Sequence, residues 1–157
     1  MTNKTATFWQ ELIKYLPLQK PLLMNASTSI RQTLTAMQKK KTSCSLILDD
    51  GGKVCGIFTE RDLIEKVYGV DFKDNVAVSS VMAKDLVSIK STNTVLEAVE
   101  RFGTHRFRHM PVFDGDNQLE GLLSVRVLSD YIAEQLPKEV LYLPPNANQV
   151  SKTISGG

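Results

Sequence analysis

Little in this sequence announces a chemistry. Only two of its 157 residues are cysteines, Cys44 and Cys55, and they have no C-x-x-C spacing. That argues against a zinc site or a disulfide framework and suits a reducing, cytoplasmic setting. No apolar run approaches the roughly 20 residues a membrane helix needs. Glu11 and Lys14 interrupt the apolar start that holds Phe8, Trp9, Leu12, Ile13, Tyr15 and Leu16. A basic region followed by a small-residue cleavage site is missing as well, so no export signal is expected. The formal net charge is only +2, so the balance calls for neither nucleic acid nor an anionic membrane as partner. There is no P-loop, no dinucleotide GxGxxG motif and no assembled triad, and the carboxylates sit in turns and caps, not in facing pairs. The chain does not read as an enzyme.

What is present is ordinary in amount and regular in arrangement. With 42% hydrophobic and 23% charged residues, 157 residues suffice for one soluble domain with a real core. The apolar positions 8, 9, 12, 13 and 16 form one stripe and predict an amphipathic helix over 5–16, ended by Pro17. Leu22 to Met24 reads as a short extended piece. Thr28 and Ser29 offer an N-cap, with Gln32 completing a capping box, to a helix bearing Ile30, Leu34 and Met37 and closing at Lys39 to Lys41. Ser45 to Leu48 and Val54 to Phe58 are predicted strands joined by the Asp49-Asp-Gly-Gly52 turn, and a helix follows from Thr59 to about Tyr68.

The same order then returns. Leu86 to Ile89 is a predicted strand, Thr94 with Glu97 a capping box, Met110 to Phe113 a strand, Asp114 to Asn117 a turn, Leu119 to Leu123 a strand and Ser124 to Gln135 a helix. Met24 and Ile89, Ile30 and Val95, Asp49 and Asp114, Gly56 and Gly121, Arg61 and Arg126, and Leu63 and Leu128 all stand 65 positions apart. The chain is therefore a duplicated unit. The expected organisation is an N-terminal helix over 1–20, a first repeat over 21–69, a connector over 70–85, a second repeat over 86–136 and a tail over 137–157. The tail is too polar and too interrupted by Pro and Gly for a stable helix. Each repeat alone is small for its own core, so the two are expected to pack on each other about a pseudo-twofold axis. The fold class is α/β of the α+β kind, two β-α-β-β-α units with an added N-terminal helix.

Two such units, with Gly56-Ile-Phe-Thr-Glu-Arg-Asp62 at one strand-to-helix junction and Arg108-His-Met-Pro-Val-Phe-Asp114 in the second copy, resemble a tandem pair of cystathionine-β-synthase (CBS) domains, a Bateman module. The resemblance covers residues 20 to about 136. It implies a regulatory module binding an adenine nucleotide (AMP, ADP or ATP, less readily NAD or S-adenosylmethionine) in clefts between the repeats. It further implies a homodimer and signalling to an effector. With no effector domain alongside, the expectation is a free-standing sensor acting on a separate protein, or a fragment of one.

Carried onto this sequence, the resemblance assigns the ribose hydroxyls to Thr59 and Asp62, a carboxylate being able to accept from both. The same Thr-x-x-Asp spacing is also an ordinary capping box that needs no ligand. Arg108 and His109, with Arg106 extending the patch, are the phosphate candidates, against the plainer reading of a solvated helix end. Met82, Val87 and Pro111 are the candidates for holding the base, and all three are equally suited to a core. In the second repeat Ser124 keeps the hydroxyl but Val127 stands where Asp62 stands, so the second site is expected to be degenerate: weak, altered or vacant. His105 and His109 lack a third partner for a metal, and Cys44 lacks a base to make it a nucleophile. The alternative function is a ligand-free dimerisation or interaction scaffold on the same fold.

Overall fold

Asp49 closes the first hairpin by accepting the N–H groups of Gly51 and Lys53 on one oxygen, each at 2.9 Å. Asp114 does the same for Asp116 and Gln118, each at 2.8 Å. These turns set the register of two sheets in the computed structural model, which describes residues 8–67, 75–105 and 107–136. In the first sheet β1 (Leu23–Asn25) runs parallel to β2 (Cys44–Leu48), which pairs antiparallel with β3 (Val54–Thr59). In the second, β4 (Ile89–Lys90), β5 (His109–Phe113) and β6 (Leu119–Ser124) repeat that order and sense. Even the irregularity recurs, between Ile47 and Leu48 and between Val112 and Phe113. The predicted strand at 86–89 begins three residues later, at Ile89–Lys90, and before it the Leu86 N–H donates to the Lys84 carbonyl at 2.9 Å.

Helix α1 (Ile30–Lys40) begins at a full capping box of Ser29 and Gln32, and α3 (Val95–Thr104) at one of Thr94 and Glu97. The Thr94 N–H holds the Glu97 carboxyl below its usual range. Helix α2 follows β3 as a single α turn, Glu60–Asp62, and continues with π-type bonding over Leu63–Val67. Its predicted end at Tyr68 lies outside the described residues, as do the start of the connector (70–74) and the tail (137–157). Helix α4 (Val125–Gln135) follows β6 from an N-cap at Ser124.

Each repeat has its own core. Ile30, Met37, Ile47, Phe58 and Val78 centre the first, and Ile13, Leu16, Ile89, Val95, Met110, Val112 and Leu123 the second. A third cluster of Cys44, Leu46 and Leu122, flanked by Ile57 and Leu119, joins the two sheets. Burial pushes the Cys44 thiol up to about 11 there, which leaves it a core residue at neutral pH.

The N-terminal segment departs from expectation. The predicted continuous helix over 5–16 is replaced, in its described part, by two 3-10 turns, Phe8–Gln10 and Ile13–Tyr15. The stripe is correctly read as burial, with Phe8, Ile13 and Leu16 inside. Its backbone is spent elsewhere. Ile13 and Lys14 donate their N–H groups to the carbonyls of Asn93 and Ser91, and Glu11 accepts that of Val95. The segment thus packs on the second repeat. The connector after residue 74 makes the matching bonds to the first repeat: Val78 to Thr28, Ser79 to Ala26, and Ile30 to Val76. Each pair is the other moved by 65 positions, so the halves exchange their leading segments, as an approximate twofold axis requires.

Candidate functional site

Two clefts lie where the repeats meet. Both are shaped by the way the last strand of each sheet runs into its helix. The Glu60 N–H donates to the Ser43 carbonyl at 3.0 Å, and the Val125 N–H to that of Arg108 at 3.0 Å. In an antiparallel ladder this makes the preceding residues, Thr59 and Ser124, a pair whose N–H groups point away from the neighbouring strand. Thr59 and Ser124 therefore present a backbone donor and a hydroxyl together, each at the mouth of a cleft.

The first cleft, of about 550 Å³, brings Thr59 and Asp62 of the first repeat into one cavity with Arg108 and His109 of the second. Val87 also lines it, with Ala83, Leu86 and Phe107. Four of the predicted residues and one base candidate thus share a space of a size suited to a small ligand. Asp62 is 7% exposed and already engaged. Its Oδ2 accepts the Thr59 N–H at 2.9 Å and the Thr59 hydroxyl at 2.8 Å, while Oδ1 accepts Lys66 Nζ at 2.7 Å. The capping box expected from the sequence is present in full. Lys66 continues to the Val81 carbonyl at 2.8 Å, tying the helix to the connector.

Two base candidates lie elsewhere, and the reason is packing. Met82 belongs to the first core, its sulfur lying against Gly56 of β3. Pro111 is fully buried in β5 opposite Leu122. Neither lines either cleft. Arg106 lies outside the described residues. Sequence reasoning also missed the acids of the first cleft, Glu60, Glu65 and Asp85, which line it together with Asp62, Arg61 and Arg108.

The second cleft, of about 770 Å³, is its pseudo-symmetric mate around Ser124, with Val125, Arg126, Lys41, Thr42 and Ser43. Arg108, His109 and Glu60 line both clefts. Its charge is the reverse of the first, with Lys41, Arg108 and Arg126 against the single carboxylate of Glu60. The 65-residue offset relates Arg126 to Arg61, but nothing local places Lys41 here. Lys41 ends α1 with φ of 52°, in the left-handed region.

At the shared wall, Ser43 Oγ lies 3.4 Å from His109 Nε2. Burial lowers the His109 pKa, Arg108 beside it adds to the effect, and Glu60 opposes both. The neutral form of the imidazole is thereby favoured. Among the described residues no cluster of side chains could hold a metal, and no helix is long and apolar enough to cross a membrane.

Comparison with known proteins bears on the whole of this architecture. The CBS domain family matches residues 13–69 and 78–134, two spans that are themselves 65 positions apart. A CBS domain-containing protein of Arabidopsis thaliana, CBSCBSPB5, is 30% identical over 125 residues, or 79% of this chain. The chain spans only 23% of the length of that relative. A solved CBS-domain containing protein from Agrobacterium tumefaciens is 27% identical with a TM-score of 0.69, covering 77% of this chain and 92% of that one. A CBS domain protein from Pyrobaculum aerophilum, solved complexed with AMP, has a TM-score of 0.69 at 18% identity and covers 79% and 99% of the two chains.

Proposed function

The chain belongs to the CBS-domain family, and from that premise we propose that it is a regulatory module whose first cleft binds an adenine nucleotide and passes its occupancy to a separate protein. The observation that carries this reading is the meeting of Thr59 and Asp62 with Arg108 and His109 in one cavity of about 550 Å³. The AMP held by the Pyrobaculum aerophilum relative supports the ligand class. Thr59 and Asp62 take the ribose, Arg108 the phosphate with His109 beside it, and Val87 flanks the base. The Asp62 carboxylate accepts the ribose hydroxyls as the Thr59 hydroxyl gives way, the Thr59 N–H keeping its bond.

The acids of the first cleft narrow the choice of nucleotide. Glu60, Asp62, Glu65 and Asp85 against Arg61 and Arg108 disfavour a long phosphate chain, so AMP is the preferred ligand over ADP and ATP. The output is a change of interface, which a ligand drives only by binding one geometry better than another. The module pairs as a homodimer in the cytoplasm, and Ile64, 70% exposed on α2, is apolar surface such pairing covers.

A thermal-shift panel with AMP, ADP, ATP, NAD and S-adenosylmethionine on wild type and Asp62→Asn tests this. At about 100 times its dissociation constant a ligand adds about 2.7 kcal/mol, which raises Tm by several degrees. AMP is expected to shift wild type most, and Asp62→Asn is expected to lose that shift. The second reading, a scaffold without ligand, has its support in the saturation of Asp62 by Thr59 and Lys66. It takes over if no adenine compound stabilises the wild type at millimolar concentration.

A further inference from the structure

We infer that the second cleft is an oxyanion site, built to hold a phosphate group without a ribose. The argument starts from what its two equivalent residues lack. In the first repeat the Thr59 N–H and hydroxyl converge on one carboxylate oxygen of Asp62, at 2.9 and 2.8 Å. In the second repeat the same pair of donors is set up by the same strand geometry on Ser124. The Ser124 oxygen accepts the Val127 N–H at 3.2 Å, as the Thr59 oxygen accepts that of Asp62. Val127, however, carries no acceptor where Asp62 carries one. Among the described residues nothing accepts the Ser124 N–H or its hydroxyl proton, although Ser124 is only 5% exposed and lines the cleft.

Buried donors of this kind are ordinarily paired. Here the missing partner is an anionic oxygen, and the remaining surroundings suit a ligand that brings one. At the N-terminus of α4, an 11-residue helix, the Val125 and Val127 N–H groups are taken by the Arg108 carbonyl and the Ser124 hydroxyl, which leaves the Arg126 N–H and the positive dipole end beside Ser124. Lys41, Arg108 and Arg126 line the cleft against one carboxylate, Glu60. Arginine forks and lysine are suited to a phosphate dianion. Ribose is not selected, because Val127 offers its hydroxyls nothing to donate to. The cleft that looks degenerate by the loss of Asp is therefore changed in specificity. Its phosphate has two chemical sources: a separate phosphorylated ligand, or the phosphate chain of a nucleotide seated in the first cleft and reaching past Arg108, which lines both. This inference does not depend on nucleotide binding in the first cleft.

The test is a titration of the full chain with inorganic phosphate at constant ionic strength, followed by the amide resonances of Ser124, Val125 and Arg126. Wild type is expected to show saturating shifts at these amides and none at Thr59. Arg126→Glu is expected to weaken the apparent affinity at least five-fold. Its side chain is 88% exposed and pairs only loosely with Asp130 at 3.8 Å, so the fold survives the change. Val127→Asp, which returns a carboxylate to Ser124, is expected to remove the response. The Arg126 variant keeps the test valid should burial of the new aspartate unfold the chain. Absence of saturation at Ser124, or an Arg126→Glu titration identical to wild type, overturns the proposal. ATP moving Thr59 and Ser124 together and displacing phosphate identifies the nucleotide chain as the source; AMP and phosphate titrating independently identifies a separate ligand. With AMP and ATP as titrants, a silent Thr59 alongside a Ser124 that responds to inorganic phosphate marks failure of the nucleotide reading alone.

Discussion

Ile13 and Val78, 65 positions apart, are both completely buried, and each lies in the core of the repeat opposite to the one it leads: Ile13 in the second core, Val78 in the first. Their N–H groups go to equivalent carbonyls, Asn93 for Ile13 at 2.9 Å and Thr28 for Val78 at 2.8 Å. The exchange makes each repeat depend on a segment that the chain places outside it.

A consequence is that damage at one end of the chain is felt at the other. Ile13→Ala is expected to cost about 2–5 kcal/mol. Hydrogen exchange should then show lost protection in β4 to β6 and α3 ahead of β1 to β3. Val78→Ala should give the reverse pattern. Loss of protection next to the mutated position only, or evenly over both sheets, would count against the exchange.

Gly56 and Gly121 stand where these segments cross the last strand of each sheet. A Cβ on Gly56 would lie 2.6 Å from Met82 Sδ and 2.8 Å from the Ala83 carbonyl oxygen, which accepts the Ile57 N–H. On Gly121 it would lie 2.9 Å from Leu18 Cβ. Both alanine variants are expected to destabilise by about 1–3 kcal/mol in urea unfolding. Gly56→Ala is expected to be the worse, because a backbone carbonyl cannot turn aside.

Stability should also depend on pH through His109. Its pKa is lowered in the folded chain, by burial first and Arg108 second, so the unfolded chain binds the proton more readily. The contribution of the neutral imidazole is fully present above the unfolded value near 6.5 and is lost as pH falls from there through the folded value. Melting temperatures between pH 7.5 and 5 should fall in wild type, and His109→Gln should flatten that part of the slope. An unchanged slope would show that other groups carry it.

The capping box of α3 offers a measure of local stability away from both clefts. Thr94 accepts the Glu97 N–H at 3.3 Å, and Glu97 accepts that of Thr94 at 2.7 Å. Thr94→Ala is expected to cost about 1 kcal/mol, seen as a fall of about 2–4 °C in Tm, with ligand responses at Thr59 and Ser124 unchanged.

Much of this architecture was legible in advance because its causes are local. Asp49 and Asp114 close their hairpins on N–H groups two and four residues on. Ser29, Thr59 and Thr94 cap helices with partners three residues away. Such bonds depend on residue type and spacing, and a repeat of 65 shows them twice. The substitution of Val127 for Asp62 was equally plain, and with it the inequality of the two clefts.

What the order of residues left open was where groups distant along the chain meet. The stripe of Phe8, Ile13 and Leu16 specified burial but not the partner, since an amphipathic segment satisfies its apolar side against either half. Tertiary structure decided it by giving the backbone of 11–14 better acceptors and donors around Ser91 to Val95 than a helix of its own would offer. The same long-range packing sent Met82 and Pro111 into cores, set acids around Thr59, and carried Lys41 and Arg126 to Ser124. Composition and spacing thus determined the repeating unit and its caps, because those rest on short-range hydrogen bonds and side-chain period. The charge of each cleft was decided only when the two units, and the segments they exchange, packed together.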